Sequence, residues 1–126
     1  MQSAADRLAP VAGLSKNYAE SIAQIRAQAG PGRRIAFVSG NLNVVHPGHL
    51  RLFKFAKEIA DFLVVAVNCD GGPGVNVPAQ VRMEGVHSIS SIDYALLLDD
   101  LPDGFIRALK PDVVVKGREF ETRVNP

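Results

Sequence analysis

Cysteine, net charge and long apolar runs are all scarce in this sequence, and each scarcity removes a class of protein. The single cysteine, Cys69, has no intrachain partner for a disulfide. No apolar run approaches the roughly 20 residues that a helix needs to cross a bilayer, so no membrane span is expected. Met1 to Leu14 contain Asp6 and Pro10 and lack the basic start and unbroken apolar segment of a secretory signal, which makes a cytoplasmic protein the expectation. Lys and Arg number 14 against 13 Asp and Glu, and a net charge of +1 gives no whole-molecule attraction to nucleic acid or to an anionic membrane. Any anion binding has to be local.

Other signatures are missing too. There is no internal repeat or low-complexity tract. No GxGxxG fingerprint occurs, and Gly71-Gly72-Pro73-Gly74 lacks the Gly-Lys-Ser/Thr of a P-loop. His87 and Cys69 have no partners at zinc-ligand spacing, and no nucleophile elbow supports a Ser/His/Asp hydrolase.

What is present reads as one domain. At 126 residues and 47% hydrophobic content the chain can bury a core. Residues 1–14 read as an apolar arm ahead of a domain at 15–126. Tyr18, Ile22, Ile25 and Ala29 recur at helical spacing, Ser15 or Asn17 can cap that helix, and Gly30-Pro31-Gly32 ends it. Arg34 to Gly40 reads as a first strand. A helical run from Leu50 follows, with Leu50, Phe53, Ala56, Ile59 and Ala60 on its buried side.

Phe62 to Asn68 is almost uninterrupted by polar residues, as a strand covered on both faces should be. Pro78, Val81, Val86 and Ile89 mark the next helix, Ile92 to Leu98 a third strand, Pro102 to Leu109 a short helix and Asp112 to Lys116 a fourth strand. Such alternation predicts an α/β domain with a doubly wound parallel sheet in three layers, binding its ligand beyond the carboxyl ends of the strands. Val113-Val114-Val115 would form a sheet edge, and together with the apolar arm it favours a homodimer or a strand supplied from elsewhere in a longer protein.

One stretch stands at such a carboxyl end: Gly40-Asn41-Leu42-Asn43-Val44-Val45-His46-Pro47-Gly48-His49. A helix start offers unpaired N–H groups and the positive end of the helix dipole to an anion. His46 and His49, three residues apart, can aim two imidazole N–H donors at one phosphate. Gly48 would admit the phosphate close to the main chain, and Pro47 fixes the helix start without wasting a donor. The plainer alternative is that His46 caps the helix and His49 is a partly buried helix histidine.

His46-Pro47-Gly48-His49 resembles the HxGH motif of the cytidylyltransferase-like nucleotidyltransferase superfamily. The likeness is to the nucleotidyltransferase domain of ADP-heptose synthase, and next to glycerol-3-phosphate cytidylyltransferase. Ile25-Arg26-Ala27-Gln28, Ala66-Val67-Asn68, Arg82-Met83 and Pro111 to Gly117 follow that domain in order and spacing over roughly residues 15–120. The resemblance implies a Rossmann-like nucleotidyltransferase fold and transfer of a nucleotidyl group from ATP or CTP to a phosphorylated sugar or polyol, releasing pyrophosphate. It implies Mg²⁺ carried with the triphosphate rather than ligated directly by protein, and a sugar kinase as a fused or separate partner.

Residue by residue, it implies His46 and His49 as the catalytic pair, with Gly40, Asn41, Leu42, Asn43 and Gly48 around the phosphates. Many relatives carry Phe and Asp where this chain has Leu42 and Asn43, so main-chain binding is retained and a carboxylate is lost. Arg82 matches an arginine near the phosphates and reads otherwise as a solvated helix residue. Lys116 could point charge into the site or be plain surface, and Asn68 and Asp70 are candidates to face the acceptor.

Two departures favour a second function, a catalytically impaired domain that binds a nucleotide or a partner. The Gly71 to Val77 loop has no lysine, and residues 118–126 carry no final strand or Ser/Thr-containing motif of the family's kind. Either the chain is a portion of a longer protein or part of the nucleotide site is lost.

Overall fold

The computed structural model describes residues 16–99 and 101–115. The chain runs α1 (Lys16–Ala29), β1 (Ile35–Gly40), α2 (Pro47–Ile59), β2 (Phe62–Val67), α3 (Ala79–His87), β3 (Tyr94–Leu97), α4 (Pro102–Leu109) and β4 (Val113–Val114). Successive side chains of a strand point to opposite faces, so the two apolar strands β1 and β2 feed two separate cores. Ile35, Phe37, Phe62, Val64 and Ala66 meet Tyr18 and Ile25 of α1 and Phe105 and Leu109 of α4 on one face. Ala36, Val38, Leu63, Val65 and Val67 meet Phe53 and Ala56 of α2 and Val86 of α3 on the other. The result is the three-layer arrangement that the alternating pattern predicts.

The strands are parallel in the order β3-β2-β1-β4. Ile35 stands opposite Phe62 and Gly40 opposite Val67, so β1 and β2 end level with one another. After β1 the chain winds outward through β2 to β3, then α4 carries it back to β4 on the far side of β1. This reversal puts the topological switch point between β1 and β4, where a doubly wound sheet opens a crevice for ligands. The turn from Gly40 to His49 leaves β1 at that point.

Aspartates fasten the opposite edge of the sheet. Asp61 accepts the Arg34 N–H at 2.8 Å, Asp93 the Leu63 N–H at 2.8 Å and Asp112 the Ile35 N–H at 2.6 Å. Each one precedes a strand and accepts from the start of the neighbouring strand, satisfying N–H groups that the ladder leaves over.

Several expected boundaries shift. Helix α2 begins at Pro47, the residue expected to fix its start, ahead of the apolar run from Leu50, and Leu50 is exposed while His49 takes the inward position. Helix α3 stops at His87, with Pro78 as its N-cap, and exposes Val81 while Arg82 and Val86 face inward. The strands are shorter than their apolar runs; among the described residues β4 pairs with β1 through Val113 and Val114. The N-terminal arm, a cap from Ser15, and Lys116 to Pro126 lie outside the described residues. Among the described residues no helix is long and apolar enough to cross a membrane.

Phe105 joins α1 to the sheet, edge-on to Tyr18 at 5.3 Å between centroids and stacked on Phe37 at 5.7 Å. Replacing it by Ala should cost about 3–5 kcal/mol, measured by urea unfolding of the two proteins. A loss below about 1 kcal/mol would mean that the α1/α4 face is not a packed core.

Candidate functional site

Three polar side chains are buried among the described residues, Asn41, His49 and Arg82, and all three belong to or touch the turn after β1. Buried polar groups need partners, and among the described residues no buried side-chain nitrogen or oxygen lacks one. The turn is therefore built around polar contacts.

His46 is the N-cap of α2, with extended backbone at φ −124° and ψ 172°. Its Nδ1 accepts the Gly48 N–H at 3.0 Å, and the His46 N–H in turn donates to Nδ1 of His49 at 3.2 Å. The two histidines thus form a reciprocal capping box, the arrangement more often made by Ser or Thr with Glu or Gln. Their ring centroids lie 4.0 Å apart. Since each Nδ1 accepts a main-chain N–H, the neutral rings carry their protons on Nε2. Capping uses the Nδ1 of each ring.

Gly48 has a tighter reason than phosphate access. A Cβ on it would stand 2.8 Å from Cε1 and 3.0 Å from Nδ1 of His46, so the ring itself occupies the space. Leu42 carries the other local constraint. Its backbone is left-handed at φ 50°, a conformation that costs about 1–2 kcal/mol for a residue with a Cβ, yet its side chain is buried in the α2/α3 core. Burial of the leucine offsets that cost and anchors the middle of the turn.

Asn41 and Asn43 reach sideways. Asn41 Nδ2 donates to the Pro73 carbonyl at 3.1 Å and its Oδ1 accepts from Asn68 Nδ2 at 2.7 Å. Asn43 Nδ2 donates to the Gly74 carbonyl at 2.8 Å, and its Oδ1 accepts from the N–H groups of Asn76 and Val77. The Gly71–Val77 loop is consequently docked beside the turn. The sequence pointed to this loop only through its missing lysine, and its docking by Asn41 and Asn43 was not evident there.

Arg82 is not a solvated helix residue. Its side chain is fully buried, with Nε donating to Val77 O at 2.7 Å and Nη1 donating to Asn41 O at 2.9 Å and to Asn68 O. Nη2 pairs with Asp70 at 2.8 Å, whose side chain is 61% exposed. The guanidinium gathers the ends of β1 and β2 and the end of the loop into one body, so Asn68 and Asp70 stand at the site with their side chains engaged by Asn41 and Arg82. Gly40, Asn41, Leu42, Asn43, His46, Gly48, His49, Asn68, Asp70 and Arg82 are thus gathered at one edge of the sheet, while Lys116 lies outside the described residues.

Magnesium favours an all-oxygen shell, whereas the turn offers ring nitrogens, main-chain N–H groups and amides. Among the described residues no three His, Cys, Asp or Glu side chains group as a metal site. The donor set suits an anion, and a magnesium ion would come held by that anion's own oxygens.

A parallel sheet wound both ways from β1, with a histidine-capped turn at its switch point, defines a doubly wound α/β domain of the nucleotide-binding kind. The chain belongs to the cytidylyltransferase-like family, whose profile matches residues 37–124. It is similar to the bifunctional protein HldE of Marinomonas sp., at 36% identity over 105 residues, covering 77% of this chain and 22% of that protein. Against the bifunctional protein HldE of Campylobacter curvus it is 31% identical over 111 residues, covering 82% of this chain and 24% of the relative. The chain therefore spans less than a quarter of the length of these relatives. The crystal structure of a lipopolysaccharide core biosynthesis protein from Thermoplasma volcanium has the same fold, with a TM-score of 0.58 at 24% identity over 74% of this chain and 85% of that one.

Burial separates the two members of the Arg82–Asp70 pair. Arg82→Met should cost about 2–4 kcal/mol in urea unfolding, because buried carbonyls lose their donors. Asp70→Asn should cost less than about 1 kcal/mol, because that carboxylate is mostly in water. Equal losses would contradict the clamp.

Proposed function

We propose that this domain transfers a nucleotidyl group from ATP or CTP to a sugar or polyol phosphate and releases pyrophosphate. The observation that carries this reading is the reciprocal histidine cap at the carboxyl end of β1, which sets two Nε2–H donors beside the N-terminus of α2. Membership of the cytidylyltransferase-like family and the likeness to HldE proteins support it.

In the reaction an acceptor phosphate oxygen attacks the α-phosphorus of the triphosphate. The bond from that phosphorus to the bridging oxygen breaks, and pyrophosphate leaves with the electron pair. No covalent enzyme intermediate is needed, so the protein's task is to hold the reactants in line and to meet the developing charge. His46 and His49 donate from Nε2 to the transferring phosphate. The dipole of α2 would add partial positive charge, its first N–H groups being spent on His46, and Asn41, Asn43 and Arg82 hold the turn in shape. A magnesium ion carried with the triphosphate would supply charge neutralisation, with no described side-chain cluster to ligate it directly. The acceptor would lie near Asn68 and Asp70, at the level end of β2. A sugar kinase, fused or separate, would supply that acceptor, in keeping with the word bifunctional in the relatives' name.

One observation favours a second reading, nucleotide binding without turnover. The buried cation of the site, Arg82, spends its guanidinium on carbonyls and Asp70, and the adjoining loop brings no lysine.

Pyrophosphate release with Mg²⁺, over a panel of nucleoside triphosphates and sugar or polyol phosphates, decides between them. His46→Ala and His49→Ala remove the ring and the cap together. His46→Asn and His49→Gln keep capping groups while removing the imidazoles. Turnover should fall by about 100-fold in all four, with the melting temperature kept only in Asn and Gln variants. Nucleotide binding without turnover in the unaltered chain would establish the second reading. Neither binding nor turnover would overturn both.

A further inference from the structure

The Gly71–Val77 loop brings no cation to the turn, yet it is tied there by a specific pattern. Asn43 donates to Gly74 O at 2.8 Å through Nδ2 and accepts through Oδ1 from the N–H groups of Asn76 at 3.0 Å and Val77 at 3.2 Å. One short side chain therefore supplies both a donor and an acceptor to main chain, which an amide can do. A carboxylate of the same shape would keep the two accepted bonds and turn a second acceptor toward the Gly74 carbonyl. An alanine would keep none.

The loop has its own shape before it docks. Gly71 and Gly74 are left-handed at φ 85° and 77°, and Val75 donates to the Gly72 carbonyl at 3.1 Å. The loop is held to the turn by Asn43 at Gly74, Asn76 and Val77, and by Asn41 Nδ2 at the Pro73 carbonyl. Its base is fixed separately, since Arg82 Nε holds Val77 O while Nη1 holds the Asn41 carbonyl of the turn. Val77 is thus bonded through its N–H to Asn43 and through its carbonyl to Arg82, so the conformations of loop and turn are linked through two shared partners.

We propose that Asn43 is a positioning residue: it latches the Gly71–Val77 loop onto the turn that carries His46, and nucleotide binding is strengthened by the latched state. The coupling to nucleotide rests on the function proposed above, whereas the latch itself does not. A ligand that binds one of two loop states better than the other shifts the loop toward that state, and a substitution that releases the loop weakens the ligand in return.

Residue-resolved amide hydrogen exchange on the full 126-residue chain, paired with calorimetric titration of ATP and CTP in Mg²⁺, tests both halves. Asn43→Ala should speed exchange at Asn76 and Val77 by about tenfold while Val64 and Val65 of β2 exchange as before, showing an intact sheet. The same variant should weaken the nucleotide by about fivefold, roughly one hydrogen bond's worth. In Asn43→Asp, where the carboxylate still accepts from both N–H groups, Asn76 and Val77 should stay more protected than in Asn43→Ala. Unchanged exchange at Asn76 and Val77 in Asn43→Ala would overturn the latch. Lost protection with unchanged nucleotide affinity would overturn the coupling. If the unaltered chain binds no nucleotide, the proposed function and the coupling fall together, and the exchange comparison still decides the latch.

Discussion

A buried guanidinium is tolerable only when its donors are met, and that requirement at Arg82 shapes the functional edge of this domain. The carbonyls it meets belong to Asn41 after β1, Asn68 after β2 and Val77 at the end of the loop. Three segments distant in sequence are tied to one planar group, in an order set by the sheet. The strands supply the level ends, and Arg82 joins what lies beyond them. Asp70 balances the charge from the solvent side, where its own carboxylate stays hydrated.

On this platform the two histidines cap α2, and the proposed function gives the same rings a second job. Their Nδ1 atoms complete the start of α2, a service worth about 1 kcal/mol that Ser, Asn or Gln could render as well. Their Nε2 atoms carry the protons, and this is the part that Ser, Asn and Gln could not replace. Under the proposed function, the capping role that competes with phosphate binding when the sequence is read alone would be the means by which the donors are set. Gly48 belongs to the same device, since the His46 ring occupies the place of its missing side chain.

Much of the fold was legible because it follows from period and punctuation. Unbroken apolar strands and alternating elements led to a parallel three-layer sheet, and the strand order puts the Gly40–His49 turn at the switch point. The helix faces were less legible. Leu50 and Val81 look like core residues by hydrophobicity, and their helices instead turn His49 and Arg82 inward, because the polar network beneath the turn outweighs the burial of one aliphatic side chain. The docking of the loop by Asn41 and Asn43 depends on contacts some 30 residues apart in the chain, such as Asn41 with Pro73, which no local pattern encodes. The left-handed backbone of Leu42 is hidden for a related reason, as a leucine is a poor local signal for it and only burial makes it tolerable.

The central claim is that His46 and His49 present Nε2–H donors to a nucleotide phosphate. Long-range ¹H–¹⁵N spectra of the histidine side chains, recorded as ATP or CTP is added with Mg²⁺, address it most directly, with exposed His87 as the internal control. The account predicts Nε2–H tautomers for both residues in the free chain and a shift of both Nε2 resonances on titration, with the His87 ring unmoved. Nδ1–H tautomers, or a nucleotide that binds and leaves both Nε2 resonances in place, would contradict it.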